Sequence, residues 1–324
     1  MNSSGRLLIT GICGQDGWYL AKRLLELGHS VVGTTHRAAT SSLDVAGTPV
    51  PVLPLDLRDG AQIRELVGVE RPAAVFNLAA RASSAQLFDE PIATAEINGM
   101  SVAHWLEAIR EHSPATRFCQ ASSSEIFVGA STTPQDESTA PRPQSAYGAA
   151  KAYADHLVSA YRSTHGLFAC SAVLYSHESP RRPSHFLMRK VARAAACIAH
   201  GSVERLKLGD LDASRDWGYA ADYVEAMRLM LAASQPQDFV IATGEMHSVR
   251  QVCEVAFAHV GLDWRRHVEA DEQLKRPPET VLRVGNAARA RRELGWAPSC
   301  SFEQLVTMLV DADSAAFDGP GSLK

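Results

Sequence analysis

The sequence predicts an α/β protein, a doubly wound parallel sheet joined to a smaller C-terminal lobe. Three observations carry this. Short apolar runs alternate with amphipathic helical stretches through the first half of the 324 residues. The first run is followed at once by a glycine turn, Gly11-x-x-Gly14-x-x-Gly17. After Leu174 the alternation loosens, broken by Pro180, Pro183, Gly201 and Gly209. Strands apolar on both faces, each followed by a helix, belong to a parallel sheet covered on both sides.

In chain order, a strand at Leu7–Thr10 leads into a helix near Trp18–Leu27, then strands near Val31–Thr35 and Val50–Leu53. A helix near Ala61–Val69 precedes a strand near Ala74–Leu78, and a longer helix, about Ile92–Arg110, precedes Phe118–Ala121. The stretch Ser131–Pro143, rich in Pro, Thr and Ser, reads as loop. A helix from about Ala146 to Thr164 leads to a strand at Ala169–Leu174, and later a helix near Tyr219–Ala233 and a strand near Phe239–Ala242 follow. The expected division gives 1–174 to the sheet domain, with 219–245 returning to it. Segments 175–218 and 246–316 make the lobe, and 317–324 a frayed tail.

Composition narrows the function classes. A net charge of −4 with 46% hydrophobic residues gives no electrostatic footprint for a nucleic-acid or membrane partner. Six Cys without a C-x-x-C, and twelve His without metal spacing, suggest neither a disulfide framework nor a metal site. The first strand starts too early to leave room for a signal peptide, and no apolar run is long enough to span a bilayer. The expectation is a soluble protein of a reducing compartment, the cytoplasm.

The glycine turn has a chemical reading. Gly11, Gly14 and Gly17 let the backbone turn tightly, approach a pyrophosphate and pack the helix on the sheet, with phosphate at the helix N-terminus. The same turn can serve packing alone, but its place after the first strand favours a Rossmann-like dinucleotide site. An Asp or Glu ending the second strand would bind a ribose 2′-hydroxyl; here Thr35 stands there, followed by His36 and Arg37. No carboxylate repels a 2′-phosphate, and Arg37 can pair with it bidentately, so NADP is expected. Asp56, after the third strand, is placed for the adenine amino group or for capping a turn.

The second piece is Tyr147-x-x-x-Lys151 at the start of the helix after the fifth expected strand. Residues i and i+4 share a helix face, so the ammonium can sit beside the phenol. A neighbouring cation is expected to lower the phenol pKa from about 10 toward working pH and make Tyr147 a base. The third piece, Ser122-Ser123-Ser124-Glu125, ends that strand. The serines can cap a turn. Glu125 lies where such sheets place ligands, and burying a carboxylate is costly unless it is paired or used.

These residues sit in longer segments: ITGICGQDGWYLAKRLLE, VFNLAA, QASSSEIF, SAYGAAKAYA, HESPRR, RKVARA, SRDWGYAADYVEAM, DFVIATGEMHSVRQ and NAARARRELGWAP. Together, from residue 8 to about 310, they resemble the extended short-chain dehydrogenases/reductases and, within them, the GDP-mannose 4,6-dehydratase family. ESP, RDWG and DYVEAM are much more specific than the glycine turn. The resemblance implies a GDP-sugar 4,6-dehydratase, a lyase. Ser123, where the family has Thr, hydrogen-bonds the sugar O4. Tyr147, with Lys151, deprotonates O4, and Glu125 removes the C5 proton and helps expel the C6 hydroxyl. It places Gln15, Asp16, Leu57, Leu78, Ala79, Ala80 and His177, with the residues above, at the cofactor. It places Arg81, Ser84, Ser124, Ser176, Glu178, Lys190, Arg215, Arg276 and Glu279 at the substrate, the last four gripping the nucleotide.

The chain departs from the pattern on the sugar side. Ser176 replaces an Asn, Arg81-Ala82 replace Gln-Ser, and Ser84 replaces a Val. The expectation is therefore a kept GDP half and a changed hexose half, with GDP-mannose slower than a related GDP-sugar. The loop after Arg37 is shorter and lacks the arginines that reach a neighbouring subunit. Helices near 92–110 and 146–164 resemble those of a four-helix dimer interface, so a homodimer is expected rather than a stable tetramer. The competing reading is an NADP-dependent nucleotide-sugar 4-ketoreductase or 4-epimerase, which needs Tyr and Lys but no C5 base; Glu125 argues against it. A non-catalytic NADP-binding regulator has no use for the whole Ser/Glu/Tyr/Lys set.

Overall fold

The computed structural model describes residues 5–36, 41–82, 90–202, 205–274 and 281–318. In chain order, β1 (Leu7–Thr10), α1 (Gln15–Glu26), β2 (Val31–Thr35), β3 (Ser42–Val45), β4 (Thr48–Pro54), α2 (Gly60–Glu70) and β5 (Ala74–Asn77) come first. Then come α3 (Pro91–Ala95), a π turn (Glu96–Met100), α4 (Ser101–His112), β6 (Arg117–Ala121), a 3₁₀ turn (Ser124–Phe127), α5 (Ala146–His165) and β7 (Ala169–Leu174). The remainder is β8 (Ser176–Glu178), α6 (Leu187–Ala199), β9 (Leu206–Leu208), β10 (Ser214–Tyr219), α7 (Ala220–Ala232), β11 (Phe239–Ile241), β12 (Met246–Ser248), α8 (Val249–His259), β13 (Val268–Ala270), α9 (Ala288–Leu294) and α10 (Phe302–Asp318), besides two short 3₁₀ turns.

Among the described residues an eight-stranded sheet runs β11-β7-β6-β5-β1-β2-β4-β3. All its pairs are parallel except β3 with β4. Strand order reverses between β1 and β5, which opens a crevice at their carboxyl ends, the usual ligand position in such sheets. Successive residues of the central strands β1, β5 and β6 feed opposite layers. Leu7, Ile9, Phe76 and Cys119 pack with α1 and α7, whereas Leu8, Val75 and Phe118 pack with α2, α4 and α5 around Trp105. That alternation explains strands that read as continuous apolar runs.

A separate core gathers α6, α8 and α10 around Trp217 and Trp264. Small sheets β12-β10-β8 and β13-β9 complete this lobe. Helix α7 and strand β11 belong to the large sheet. So do Ala287, Ala290 and Trp296, which pack in the large-sheet core although the sequence reading put 246–316 in the lobe. The Trp296 indole donates to the Asp222 carbonyl of α7 at 2.7 Å, and that bond draws the segment back.

Two local features depart from the sequence expectation. The edge strand β3 was not expected; it pairs antiparallel with β4 through Ala46 and Gly47, both at positive φ, a two-residue hairpin turn. The helix expected over 92–110 is interrupted by the π turn, a device that re-aims side chains. Here it turns Asn98 inward. Among the described residues no helix is long and apolar enough to cross a membrane.

Candidate active site

The glycine turn links β1 to α1. Gly11 has φ +67°, and a Cβ there would stand 3.0 Å from the Ala79 backbone. A Cβ at Gly17 would stand 2.5 Å from the Gly11 carbonyl oxygen, so the first turn of α1 can sit this close only without a side chain. Gly14 caps α1 with no side-chain hydrogen bond, leaving first-turn N–H groups for an acceptor. These features fit a dinucleotide pyrophosphate.

Polar bonds stitch this turn to the segment after β7. Gln15 Nε2 donates to the His177 carbonyl at 3.3 Å, and Gln15 Oε1 accepts from Ser179 at 2.8 Å. His177 Nδ1 donates to the Tyr175 carbonyl at 2.7 Å, while its Nε2 faces Asp16 at 2.9 Å. Burial pulls the imidazole pKa down, but the Asp16 charge and hydrogen bond outweigh it and leave it raised. For Asp16 burial pushes up, and His177 wins again, taking the carboxyl down to about 2. Both ring nitrogens of His177 thus face oxygens, and the Asp16 carboxylate favours the charged imidazole.

Asp56 is held bidentately by Arg58, with a shortest contact of 2.6 Å, and that bond takes its carboxyl down to about 2. Leu57 is buried, and Leu78, Ala79 and Ala80 run half-buried along the crevice after β5. Arg37 lies outside the described residues.

A fully buried polar chain crosses the sheet beneath this floor. Thr10 Oγ1 donates to Asn77 Oδ1 at 2.8 Å and accepts from the Leu78 and Ala79 N–H groups. Asn77 Nδ2 donates to Gln120 Oε1 at 2.7 Å, and Gln120 Nε2 donates to the Ala121 carbonyl at 2.9 Å. That carbonyl also receives Lys151 Nζ at 2.7 Å. β6 thus ends where it can anchor α5.

Helix α5 starts at Ser145, whose hydroxyl accepts from the Gly148 N–H at 3.0 Å, and ends at Gly166 with φ +66°. This fixes Tyr147 in its first turn and Lys151 one turn on. The Lys151 Nζ lies 5.7 Å from the Tyr147 ring centroid. Ser123 is extended and caps the 3₁₀ turn, its Oγ accepting from the Glu125 N–H at 3.3 Å, and it also hydrogen-bonds Tyr147. The capping reading is realised. Ser124 is buried behind them.

One expectation is overturned. The Tyr147 phenol is not lowered toward neutrality but pushed up to about 12. Burial is the dominant cause; the Ser123 hydrogen bond lowers it, Glu125 raises it, Arg182 lowers it and Asp16 raises it. Lys151 is itself buried, which pulls its ammonium down to about 8 against the opposing pull of Asp155. Asp155, four residues on, accepts from Ser122 and is pushed up to about 7, chiefly by burial.

Among the residues expected at the substrate, the Arg81 guanidinium pairs with Glu90, and its backbone N–H and carbonyl are clamped by Asn98 at 2.8 and 3.0 Å. Ser176 lies on β8 opposite Trp217, and Ala82 is exposed. Glu178 is buried 3.4 Å from Arg182, its carboxyl pushed up by that burial. Lys190 on α6 donates to the Lys207 carbonyl at 2.8 Å, and Arg215 on β10 to the Ser214 carbonyl at 2.7 Å, so both belong to the lobe. Ser84, Arg276 and Glu279 lie outside the described residues.

The structure therefore brings Asp16, Ser123, Glu125, Tyr147 and His177 to one crevice, with Lys151 beneath. Sequence reasoning missed Arg182, Asn98, Asp155 and Arg283 there. Arg182 follows His177 by five positions in the HESPRR segment, and Asp155 follows Lys151 by one helical turn; both spacings carry a signal. Arg283, which donates to Glu125 from 158 positions away, has none.

The chain matches the family model for GDP-mannose 4,6 dehydratase over residues 8–309. It is 41% identical over 321 residues to GDP-mannose 4,6 dehydratase 1 of Arabidopsis thaliana, covering 94% of this chain and 89% of that one. It is 38% identical over 337 residues to the Homo sapiens GDP-mannose 4,6 dehydratase, covering 94% and 90%. Among solved structures it resembles the Thermus thermophilus UDP-glucose 4-epimerase in complex with NAD, with a TM-score of 0.81 and 26% identity over 96% of this chain and 99% of that one. The Bacillus anthracis dTDP-glucose 4,6-dehydratase, at 20% identity and a TM-score of 0.82 over 97% and 98% of the two chains, shares the fold.

Proposed function

The chain belongs to the GDP-mannose 4,6-dehydratase family, and from that premise we propose how its own residues divide the reaction. It is a GDP-sugar 4,6-dehydratase, a hydro-lyase that converts the hexose to a 4-keto-6-deoxy sugar with loss of one water. A nicotinamide dinucleotide would be held by the glycine turn Gly11, Gly14 and Gly17 at the α1 N-terminus, where it would take up a hydride from C4 and give one back at C6, leaving the reaction redox-neutral overall.

Ser123 orients the sugar O4, and Tyr147 takes the O4 proton. With its phenol near 12, Tyr147 is protonated in the free protein at neutral pH, so it acts as a base only once the loaded site favours the phenolate. The Arg182 charge acts in that direction. Lys151 holds a positive charge under the ring. Once C4 is a ketone, the C5 proton is acidic; Glu125 removes it and delivers a proton to the departing C6 hydroxyl.

The observation that carries this reading is the carboxylate of Glu125 beside the Ser123–Tyr147 pair, close enough for its charge to act on the phenol. Ketoreduction or epimerisation at C4 needs no base at C5. A substrate deuterated at C4 tests it. The label is expected at C6, solvent hydrogen at C5, and the product one water lighter; label retained at C4 refutes the reading.

Thr35 without a carboxylate, followed by Arg37, supports NADP as the cofactor, and mass identification of what denatured protein releases tests this. Kinetics with GDP-mannose against other GDP-hexoses test the expectation from Ser176, Ala82 and Arg81 that mannose is the slower sugar. The exposed Ile92, Met100 and Tyr153, on α3, the π turn and α5, support a homodimer built on these helices, with light scattering as the check.

A further inference from the structure

Glu125 has a built partner. Arg283 Nη1 donates to Glu125 Oε1, with only 10% and 20% of the two side chains exposed. The backbone around Arg283 is pinned on both sides. The Leu282 carbonyl accepts from Gln135 Nε2 at 3.0 Å and Thr133 Oγ1 at 3.1 Å. The Val284 carbonyl accepts from the Gln135 N–H at 2.9 Å, and the Asn286 N–H donates to the Gln135 carbonyl at 2.8 Å. The Gly285 N–H donates to buried Asp216 at 3.1 Å.

Gln135, the hub, is wholly buried, and its Oε1 accepts from Tyr175 at 2.8 Å. Gln135 thus fixes where the guanidinium starts, and Asp216, which also holds Thr243 and Gly244, adds a bond from the far side. A buried ion pair is weak stabilisation compared with an apolar pair of the same volume, so core stability alone does not account for it. What the arrangement does accomplish is to fix one carboxylate oxygen.

We propose that Arg283 is a positioning residue for the dehydration step, holding Oε1 of Glu125 so that Oε2 is presented to the C5 proton and then to the C6 hydroxyl. This rests on the reading of Glu125 as the C5 base. Oxidation at C4 takes its proton at Tyr147 and feels Glu125 only through its charge, so Arg283 acts chiefly at the step that Glu125 serves.

The test uses the full chain with its cofactor bound, comparing Arg283→Ala, Arg283→Met, Arg283→Lys, Glu125→Gln and the double variant Glu125→Gln/Arg283→Met. Three rates are followed in single turnover: reduced-nicotinamide absorbance for C4 oxidation, solvent-deuterium uptake at C5, and product mass for water loss. Arg283→Ala and Arg283→Met should slow C5 exchange and water loss by about 30- to 300-fold, the scale of a misplaced catalytic group, while C4 oxidation stays within about threefold. Arg283→Lys should recover part of the loss, and the double variant should be no slower than Glu125→Gln alone.

Water loss within about threefold of the parent in Arg283→Met overturns the proposal. So does a fall in C4 oxidation as large as the fall in water loss, or full additivity in the double variant. Arg283→Met retains the bulk of the side chain, so it decides the matter if the alanine variant fails to fold. Glu125→Gln dehydrating at the parent rate sinks the Glu125 reading instead, and the two failures are distinct.

Discussion

Substituting Asp155 by Asn should move the alkaline limb of activity without touching the acid side. Asp155 lies one turn beyond Lys151 on α5, and residues so spaced have Cβ atoms about 5–6 Å apart. At an effective dielectric of about 20, a unit charge at roughly 6 Å is worth about 2.8 kcal/mol, or about two pKa units. Its charge favours the Lys151 ammonium, which burial has already pulled down to about 8. Asp155 is pushed up to about 7, so it is charged where Lys151 titrates and neutral below that, and the two titrate as a pair.

Asn copies the neutral carboxyl. Parent and variant should therefore converge below about pH 6, where Asp155 is itself neutral, and the alkaline fall-off, near about 8 in the parent, should come roughly one to two units earlier in the variant. The assay is kcat/KM against pH with circular dichroism at each point. An unmoved alkaline limb, or a loss of equal factor at every pH, would show that Asp155 does not sustain the charge on Lys151.

Three further outcomes follow from the same geometry. Tyr147→Phe removes one oxygen and should abolish turnover by at least about a thousandfold while cofactor stays bound, read by released-cofactor mass; a rate within about tenfold of the parent refutes its role. Gly17→Ala puts a methyl group 2.5 Å from the Gly11 carbonyl and should cost about 1–3 kcal/mol, measured as a fall of several degrees in Tm. Asp16 has its carboxyl lowered from 3.8 to about 2, so its pairing with His177 stabilises the fold above about pH 4 and is lost as pH falls through about 2. Asp16→Asn should accordingly lower denaturant stability at neutral pH by on the order of 2 kcal/mol, and the difference should vanish near pH about 2.

The parts of the site written in local spacing were legible in the sequence. The glycine turn, Tyr147 with Lys151, and Ser123 with Glu125 each lie within one turn or one strand end, where a helical or extended period dictates which side chains meet. The edge strand β3 was not legible, because it has one fully buried residue and pairs with a strand punctuated by Pro49, Pro51 and Pro54. Nor was the π turn that aims Asn98, since helical periodicity does not reveal an inserted residue. The protonation of Tyr147 went the other way because spacing shows only that Lys151 shares its helix face, whereas the burial that raises the phenol belongs to the assembled fold. Arg283 meets Glu125 only through the anchoring of its segment by Gln135 and Asp216, a contact between distant parts of the chain.

The polar chain from Thr10 through Asn77 and Gln120 to the Ala121 carbonyl has a mechanical consequence. Its side chains are a hydroxyl and two amides, and its terminus is a peptide oxygen, so none of them exchanges a proton in the working range. A change of pH therefore has no handle on it. Lys151 hangs from a rail that is blind to titration, while Asp155, one turn along α5, is pushed up to about 7 beside it. The fold keeps the groups that must change state apart from the groups that must hold still, and it does so with neutral hydrogen bonds buried between parallel strands.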